Sequence, residues 1–278
     1  MWPILPPVSV LLHISDTHFG TEDPPVVEAL RALAQELKPD ALVLSGDITQ
    51  RARRAQFEAA RRFCDSLGIA RRLTLPGNHD IPLYNVFARI AAPYGGYRAF
   101  FGGELEPVLE MQDAVVIGVN TTRPRRHKDG EVSRRQIERV AARLQAIPRE
   151  KLRVVVTHQP ACVMRPEDEE NRLHGGHRAV KAWSEAGADL VLGGHIHLPY
   201  VSNVCALVQG TERPMYCAQA GTALSLRVRH NSPNSVNVIR WEPPAPGGGR
   251  VCHVERWDYD LADAKFELAR PYELKLGD

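Results

Sequence analysis

Pro76-Gly77-Asn78-His79-Asp80 follows a short β-favouring run, Arg72-Leu73-Thr74-Leu75. A strand therefore ends at the Pro-Gly pair and the chain turns. An amide oxygen at Asn78 beside an imidazole at His79 suits a divalent metal. The amide is a hard oxygen ligand, and the imidazole stays free to act on what the metal holds. Alone, the stretch fits an Asx-type turn ahead of a helix just as well. Its neighbours decide between the two readings.

Those neighbours are evenly spaced. Asp16, Asp47 and Asn78 follow one another at intervals of 31 residues, and about thirty residues make one strand–helix–strand unit. Each lies just beyond an apolar run: Val8 to Ile14, Ala41 to Leu44 and Leu73 to Leu75. Parallel strands joined by helices bring such loop residues to the carboxyl edge of a sheet, where α/β folds hold ligands. Later apolar runs deliver His158, and then His195 with His197, to the same edge.

Composition bounds the alternatives. A chain of 278 residues, 44% hydrophobic and 24% charged, reads as an ordinary globular protein able to bury a large core. A single domain over 1–278 is expected. Segment 81–104 is read as a cap or loop, and the β-rich part 198–278 as completing the second sheet. The formal charge of +2 supplies no strong overall field to recruit nucleic acid or membrane. Met1 to Leu12 carries no Lys or Arg and runs into the strand bearing Asp16, so no signal peptide is expected. Five cysteines without CxxC spacing fit reduced thiols and a cytoplasmic location.

In chain order, a helix is expected from Pro24-Pro25 through Leu37, and another carrying Phe57, Ala60, Phe63 and Leu67. Leu83 to Ala91 reads as a third. The aromatic, glycine-rich piece Pro93 to Gly103 reads as cap or loop near the site. Strands at Val108–Met111 and Ala114–Val119 precede a basic loop, Thr121 to Gly130, and Ser133 with Gln136 forms a capping box opening the next helix. Beyond His197 the pattern is β-rich: 200–208, 215–219, 224–229, 235–241 and 250–257. Pro243 to Gly249 reads as a hairpin loop.

Asp16-x-His18, Gly46-Asp47, Gly77-Asn78-His79-Asp80, His158 and Gly194-His195-Ile196-His197 together resemble the signature of calcineurin-like metallophosphoesterases, in order and in strand-end context. The resemblance spans roughly residues 8 to 200 and leans towards the class III cyclic-nucleotide phosphodiesterases. It implies a four-layer α/β/β/α sandwich and a dinuclear metal centre. Carried over by position, Asp16, His18, Asp47 and His197 would hold the first ion. Asp47, Asn78, His158 and His195 would hold the second, with Asp47 bridging. His79 would face the substrate as general acid. Nitrogen and oxygen donors without thiolate suit manganese or iron, with zinc or nickel also compatible.

The implied reaction is hydrolysis of a phosphodiester by metal-bound hydroxide, acting on a small nucleotide or related diester such as a cyclic nucleotide. A phosphomonoesterase is the runner-up, with Arg51 as its candidate phosphate clamp. A nuclease is disfavoured by the balanced charge, and a non-catalytic scaffold by retention of every ligand. The chain lacks the Asp-Arg-Gly of serine/threonine phosphatases, since Gln50-Arg51-Ala52 stands there. It also lacks a tyrosine ligand of the purple acid phosphatase kind. His13 reads as a core histidine and Glu167 to Glu170 as a solvated acidic loop; Arg227 and Arg229, on one face of a strand, are placed to touch substrate or, by preference, to form surface salt bridges. The β-rich C-terminal third offers a surface for a homodimer.

Overall fold

The computed structural model describes residues 9–229, 232–245 and 247–277. Part of the N-terminal reading above rests on residues 1–8, which lie outside them. Strands β1 (Ser9–Ile14), β2 (Ala41–Leu44) and β3 (Arg71–Thr74) run parallel, joined by helices α1 (Pro24–Leu37) and α2 (Arg54–Ser66). After two short helices, α3 (Val86–Ala91) and α4 (Gly95–Phe101), the chain builds a second sheet. Its strands are β4 (Val108–Glu110), β5 (Ala114–Gly118), β6 (Leu152–Val156), β7 (Leu190–Gly193), β8 (Tyr200–Asn203) and β9 (Tyr216–Gln219). Helices α5 (Arg134–Gln145) and α6 (Gly176–Glu185) connect its parallel strands. The chain then returns to the first sheet with β10 (Ser235–Trp241), β11 (Val251–Asp260) and β12 (Lys265–Lys275). The sheet orders are β12-β11-β10-β1-β2-β3 and β4-β5-β6-β7-β9-β8.

Alternation of side chains along the strands sorts the core into three layers. Leu12, Ile14, Leu42 and Leu44 point to α1 and α2, where they meet Leu30, Phe57 and Phe63. Leu11, Val43 and Leu73 point the other way, against Val116, Val154 and Leu192 of the second sheet. Val155 and Val191 face α5 and α6, with Val140, Val180 and Trp183. The central strands β2, β5 and β7 are apolar throughout because both faces are covered. This is the expected α/β/β/α sandwich.

Several expectations are corrected. Segment 95–101 is scaffold, not cap: Tyr97 is fully buried, its hydroxyl donates to Thr74 O at 2.8 Å, and Phe100 stacks on Phe57. Burying Tyr97 and stacking Phe100 on Phe57 of α2 outweighs the weak helix propensity of the two glycines. The third helix is shorter than 83–91. The part 198–278 does not simply complete the second sheet. Only β8 and β9 do so, while β10 to β12 extend the first, because β1 would otherwise be an unpaired edge. Residues 224–229 form no strand, and β12 was not anticipated. The hairpin at 243–249 does connect β10 to β11; its Pro246 lies outside the described residues.

Candidate metal centre

The strand ends of both sheets converge on one cleft of about 690 Å³, lined in part by Asp47, Asn78, His79, His195, His197 and Arg227. Asp16 and His18 follow β1, Asp47 follows β2, and Asn78-His79-Asp80 forms one 3-10 turn after β3. From the second sheet, His158 follows β6, and His195 and His197 follow β7.

Five of these residues have left-handed backbones: Asp16 (φ 53°), His18 (43°), Asp47 (48°), His195 (73°) and His197 (54°). Such conformations cost energy in any residue with a Cβ, and they persist only where the surroundings impose them. The surroundings here are hydrogen bonds between loops. His195 N donates to Asp16 Oδ2 and His79 N to Asp47 Oδ1, both at 2.8 Å, while Thr222 Oγ1 donates to Asp16 O at 2.6 Å. Asp80 ties two loops together by accepting from Ile48 N, Thr49 N, Thr49 Oγ1 and Gly77 N. Close approach also requires glycine. A Cβ on Gly77 would strike the Asp47 backbone, and one on Gly194 would strike Ser15 and Asp16.

The donor atoms crowd together. His197 Nε2 lies 3.2 Å from Asp16 Oδ1 and 3.1 Å from His18 Nε2. His158 Nε2 lies 3.3 Å from Asp47 Oδ1 and 3.2 Å from Asn78 Oδ1. His18 Nε2 stands 3.8 Å from Asp47 Oδ2. Two lone-pair atoms bound to one ion at about 2.0–2.2 Å sit roughly this far apart. Among the described residues, three groupings place every ligand atom within 4.8 Å of the others: Asp16/His18/His197, His18/Asp47/His79 and Asp47/His158/His195.

Two fully buried polar atoms, Asp16 Oδ1 and His195 Nδ1, have no hydrogen-bond partner. Buried polar atoms are rarely left so, and a cation accounts for both. Outer partners fix the rings: His158 Nδ1 bonds Ser45 O at 2.8 Å and His197 Nδ1 bonds Arg227 O at 2.6 Å. Each leaves Nε2 free to face the centre. The residues present therefore fit a pair of divalent ions.

Electrostatics agree. Burial pushes the imidazoles of His18 and His195 down to about 3, so both are neutral and offer lone pairs. Burial also opposes charge on Asp16 and Asp47, yet His197 and His158 hold the two carboxylates below their usual range. His158 is raised to about 9: burial works against its charge, and the Asp47 carboxylate overrides it. For Asp80, burial and then the Asp47 charge raise the carboxyl to about 6, against three backbone N–H donors.

The structure brings together all seven proposed ligands and His79. His79 lies further out, with Nε2 4.0 Å from Asp47 Oδ2 and Nδ1 donating to Gln50 O at 3.0 Å. His13 is a core histidine bonded to Ser45 Oγ. Arg229 pairs with buried Asp168 at 2.8 Å. Arg227 turns into the cleft, the less favoured of its two expected places: its Nη1 reaches His79 Nε2 at 3.2 Å and Gln50 Oε1 at 3.1 Å. No motif marks it, and only the Leu-Arg-Val-Arg alternation set it apart. Arg51 lines a side groove beside His79 with its guanidinium over the Tyr84 ring. The acidic segment forms a 3-10 turn, Pro166–Asn171, along one wall of the cleft.

A model of the calcineurin-like phosphoesterase family matches residues 9–199. Glycerophosphodiester phosphodiesterase GpdQ of Enterobacter lignolyticus is 36% identical over 84 residues, 26% of this chain and 29% of that protein. The match thus spans under a third of the relative's length. Among solved structures, purple acid phosphatase PPD1 from yellow lupin superposes with a TM-score of 0.70 at 12% identity, over 99% of this chain and 55% of its own. A dimetal phosphatase from Danio rerio gives 0.63 at 11% identity, over 98% and 100%. PhoD gives 0.68 at 10% identity, over 98% and 70%. At such identities these likenesses show the fold. No helix among the described residues is long and apolar enough to cross a membrane.

Proposed function

The chain belongs to the calcineurin-like phosphoesterase family, and from that premise we propose that it hydrolyses phosphodiester bonds with two divalent ions. The observation that carries this reading is the position of Asp47 between two histidine clusters. Its Oδ1 faces His158 and its Oδ2 faces His18. In this reading Asp16, His18, Asp47 and His197 hold one ion, and Asp47, Asn78, His158 and His195 hold the other. When bound, the ions supply charge neutralisation of the phosphoryl oxygens and an activated water near neutral pH.

The chain's own residues supply the rest. His79, at the mouth of the site and outside the ligand set, faces the leaving oxygen and gives it a proton or hydrogen bond. Arg227 directs a guanidinium N–H at the same place and orients one phosphoryl oxygen. Loops 77–80 and 194–197 hold the ligands in their strained geometry before substrate arrives, so little reorganisation is needed during reaction. The preference for diesters draws on the name of the relative GpdQ, a glycerophosphodiester phosphodiesterase. It also draws on Arg227 being the one guanidinium that hydrogen-bonds His79 among the described residues. Manganese or iron, a cytoplasmic location and a small nucleotide-like substrate belong to this proposal.

A second reading, a phosphomonoesterase, is favoured by Arg227 itself, since a monoester dianion exposes a further oxygen that a guanidinium suits. The deciding experiment compares kcat/KM for bis(p-nitrophenyl) phosphate and p-nitrophenyl phosphate on the manganese-loaded protein. A faster diester supports the first reading. A faster monoester, lost selectively in Arg227→Ala, replaces it with the second.

A further inference from the structure

Helix α3 is built inside out. Its only charged residue, Arg89, is buried, and the guanidinium donates to Pro124 O (2.7 Å), Pro82 O (3.0 Å) and Arg126 O (2.7 Å). Its apolar residues face water instead: Val86 is 62% exposed, Phe87 82% and Ile90 78%, with Tyr84 at 77% just before them. A short helix gains nothing by showing such side chains to solvent, and a cluster of them marks a surface that something covers.

The surroundings say what. Arg89 locks the helix to the basic loop at 121–131, and Arg51 stacks on Tyr84 at 5.5 Å, so three segments form one patch. Segments 51–54, 82–91 and 121–131 together carry eight arginines and lysines, the buried Arg89 among them, against two carboxylates, in a chain whose total is only +2. The near balance of the whole chain therefore conceals a local excess of positive charge beside exposed aromatic and aliphatic groups. The exposed arginine and lysine of the loop do pair with Glu131 and Glu170, but exposed pairs of this kind are weak and exchange readily with other anions.

The patch also adjoins the reactive cleft. A groove of about 220 Å³ runs from Asn78 and His79 past Arg51, Ile81, Leu83 and Lys128 towards the apolar helix. Leu226 and Val228, on either side of Arg227 in sequence, are 67% and 50% exposed, and Val228 lines the cleft itself.

We propose that helix α3 and the 121–131 loop seat the protein on an anionic lipid bilayer, with Tyr84, Phe87 and Ile90 entering the interface and the basic residues meeting lipid phosphates. A second copy of the chain is the competing occupant. Pairing this patch with itself would set two cationic segments face to face. The proposal goes beyond the hydrolytic reading and stands without it, because binding is read in the absence of turnover.

The test is co-sedimentation of the intact protein with sucrose-loaded vesicles of phosphatidylcholine, with and without about one third phosphatidylglycerol. Binding to the anionic vesicles is expected, weakening as salt rises. A loss of about tenfold is expected in Phe87→Ser with Ile90→Ser, and a comparable loss in Arg53→Glu with Arg125→Glu. Unchanged thermal midpoint and unchanged hydrolysis of bis(p-nitrophenyl) phosphate in solution show that the variants are folded. No binding to anionic vesicles, or equal binding by the serine variant, overturns the proposal. So does sedimentation equilibrium showing a dimer that Phe87→Ser with Ile90→Ser dissociates.

Discussion

Arg227 Nη1 stands 3.2 Å from His79 Nε2, and because His79 Nδ1 gives its proton to Gln50 O, the bare Nε2 accepts from the guanidinium. An incoming phosphoryl oxygen would take over that N–H and leave Nε2 free to pick up a proton from water, which it then gives to the leaving oxygen. Arg227→Ala is therefore expected to lower kcat/KM about 10- to 100-fold, the range for one charged hydrogen bond. The larger loss should fall on monoesters, and Arg227→Lys should recover part of KM but not the orientation. Steady-state kinetics on both nitrophenyl substrates checks this; indifference of both to Arg227→Ala removes the residue from the site chemistry.

His79 is proposed as donor, not ligand. His79→Ala should keep both ions and lose about 10²–10⁴ in kcat on substrates with poor leaving groups. With p-nitrophenolate as leaving group the loss should shrink. Equal losses for good and poor leaving groups, or metal missing by elemental analysis, would contradict the assignment.

Asp47 faces both histidine clusters, so Asp47→Ala should strip both ions and abolish activity. His18→Ala should mainly weaken the cluster formed with Asp16 and His197. Metal-to-protein ratios by mass spectrometry check both; two ions retained in the Asp47 variant would sink the bridging role.

The metal-free protein should lose stability as pH rises through the neutral range. Burial opposes the charge on His158, but the Asp47 carboxylate raises it from 6.5 to about 9. This contribution is fully present below pH 6.5 and is lost as pH passes about 9. The thermal midpoint of the metal-free form should fall across that window, and His158→Gln should flatten the slope. Metal should reverse the trend, because binding displaces the same proton and so strengthens with pH.

Asp80 accepts four hydrogen bonds from donors on two loops. An amide would set its NH₂ against N–H groups, so Asp80→Asn should lower the melting temperature and the metal content together, whereas Asp80→Glu should keep part of both. Differential scanning calorimetry with metal analysis reads the two effects side by side.

The donors were legible because each follows an apolar run of a parallel strand, and local periodicity carries that information. Arg227 was not, because its loop has no regular period and is tied to the site by long-range hydrogen bonds, among them Thr222 to Asp16 and His197 to the Arg227 carbonyl. The sheet assignment of the last third failed for a similar reason. Residues 235–241 read as a strand from their own pattern, but which open edge they fill depends on β1, more than two hundred residues away. Gly95–Phe101 misled through composition. Glycines and aromatics suggest a loop until a helix with an uncovered face, α2, is there to receive the rings. The outward-facing apolar residues of α3 follow helical spacing, so periodicity alone would bury them.

The antiparallel pairing of Ser9 with Trp241 has a bearing on how the protein is made. Translation at about 5–20 residues per second separates those two positions by roughly ten to fifty seconds. Throughout that interval β1 has β2 on one side and nothing on the other, while the whole second sheet is threaded out. An apolar strand with an open edge invites pairing with other nascent chains. A ribosome-bound fragment ending before residue 235 should accordingly depend on chaperones to stay monomeric, and release of β10 to β12 should end that dependence.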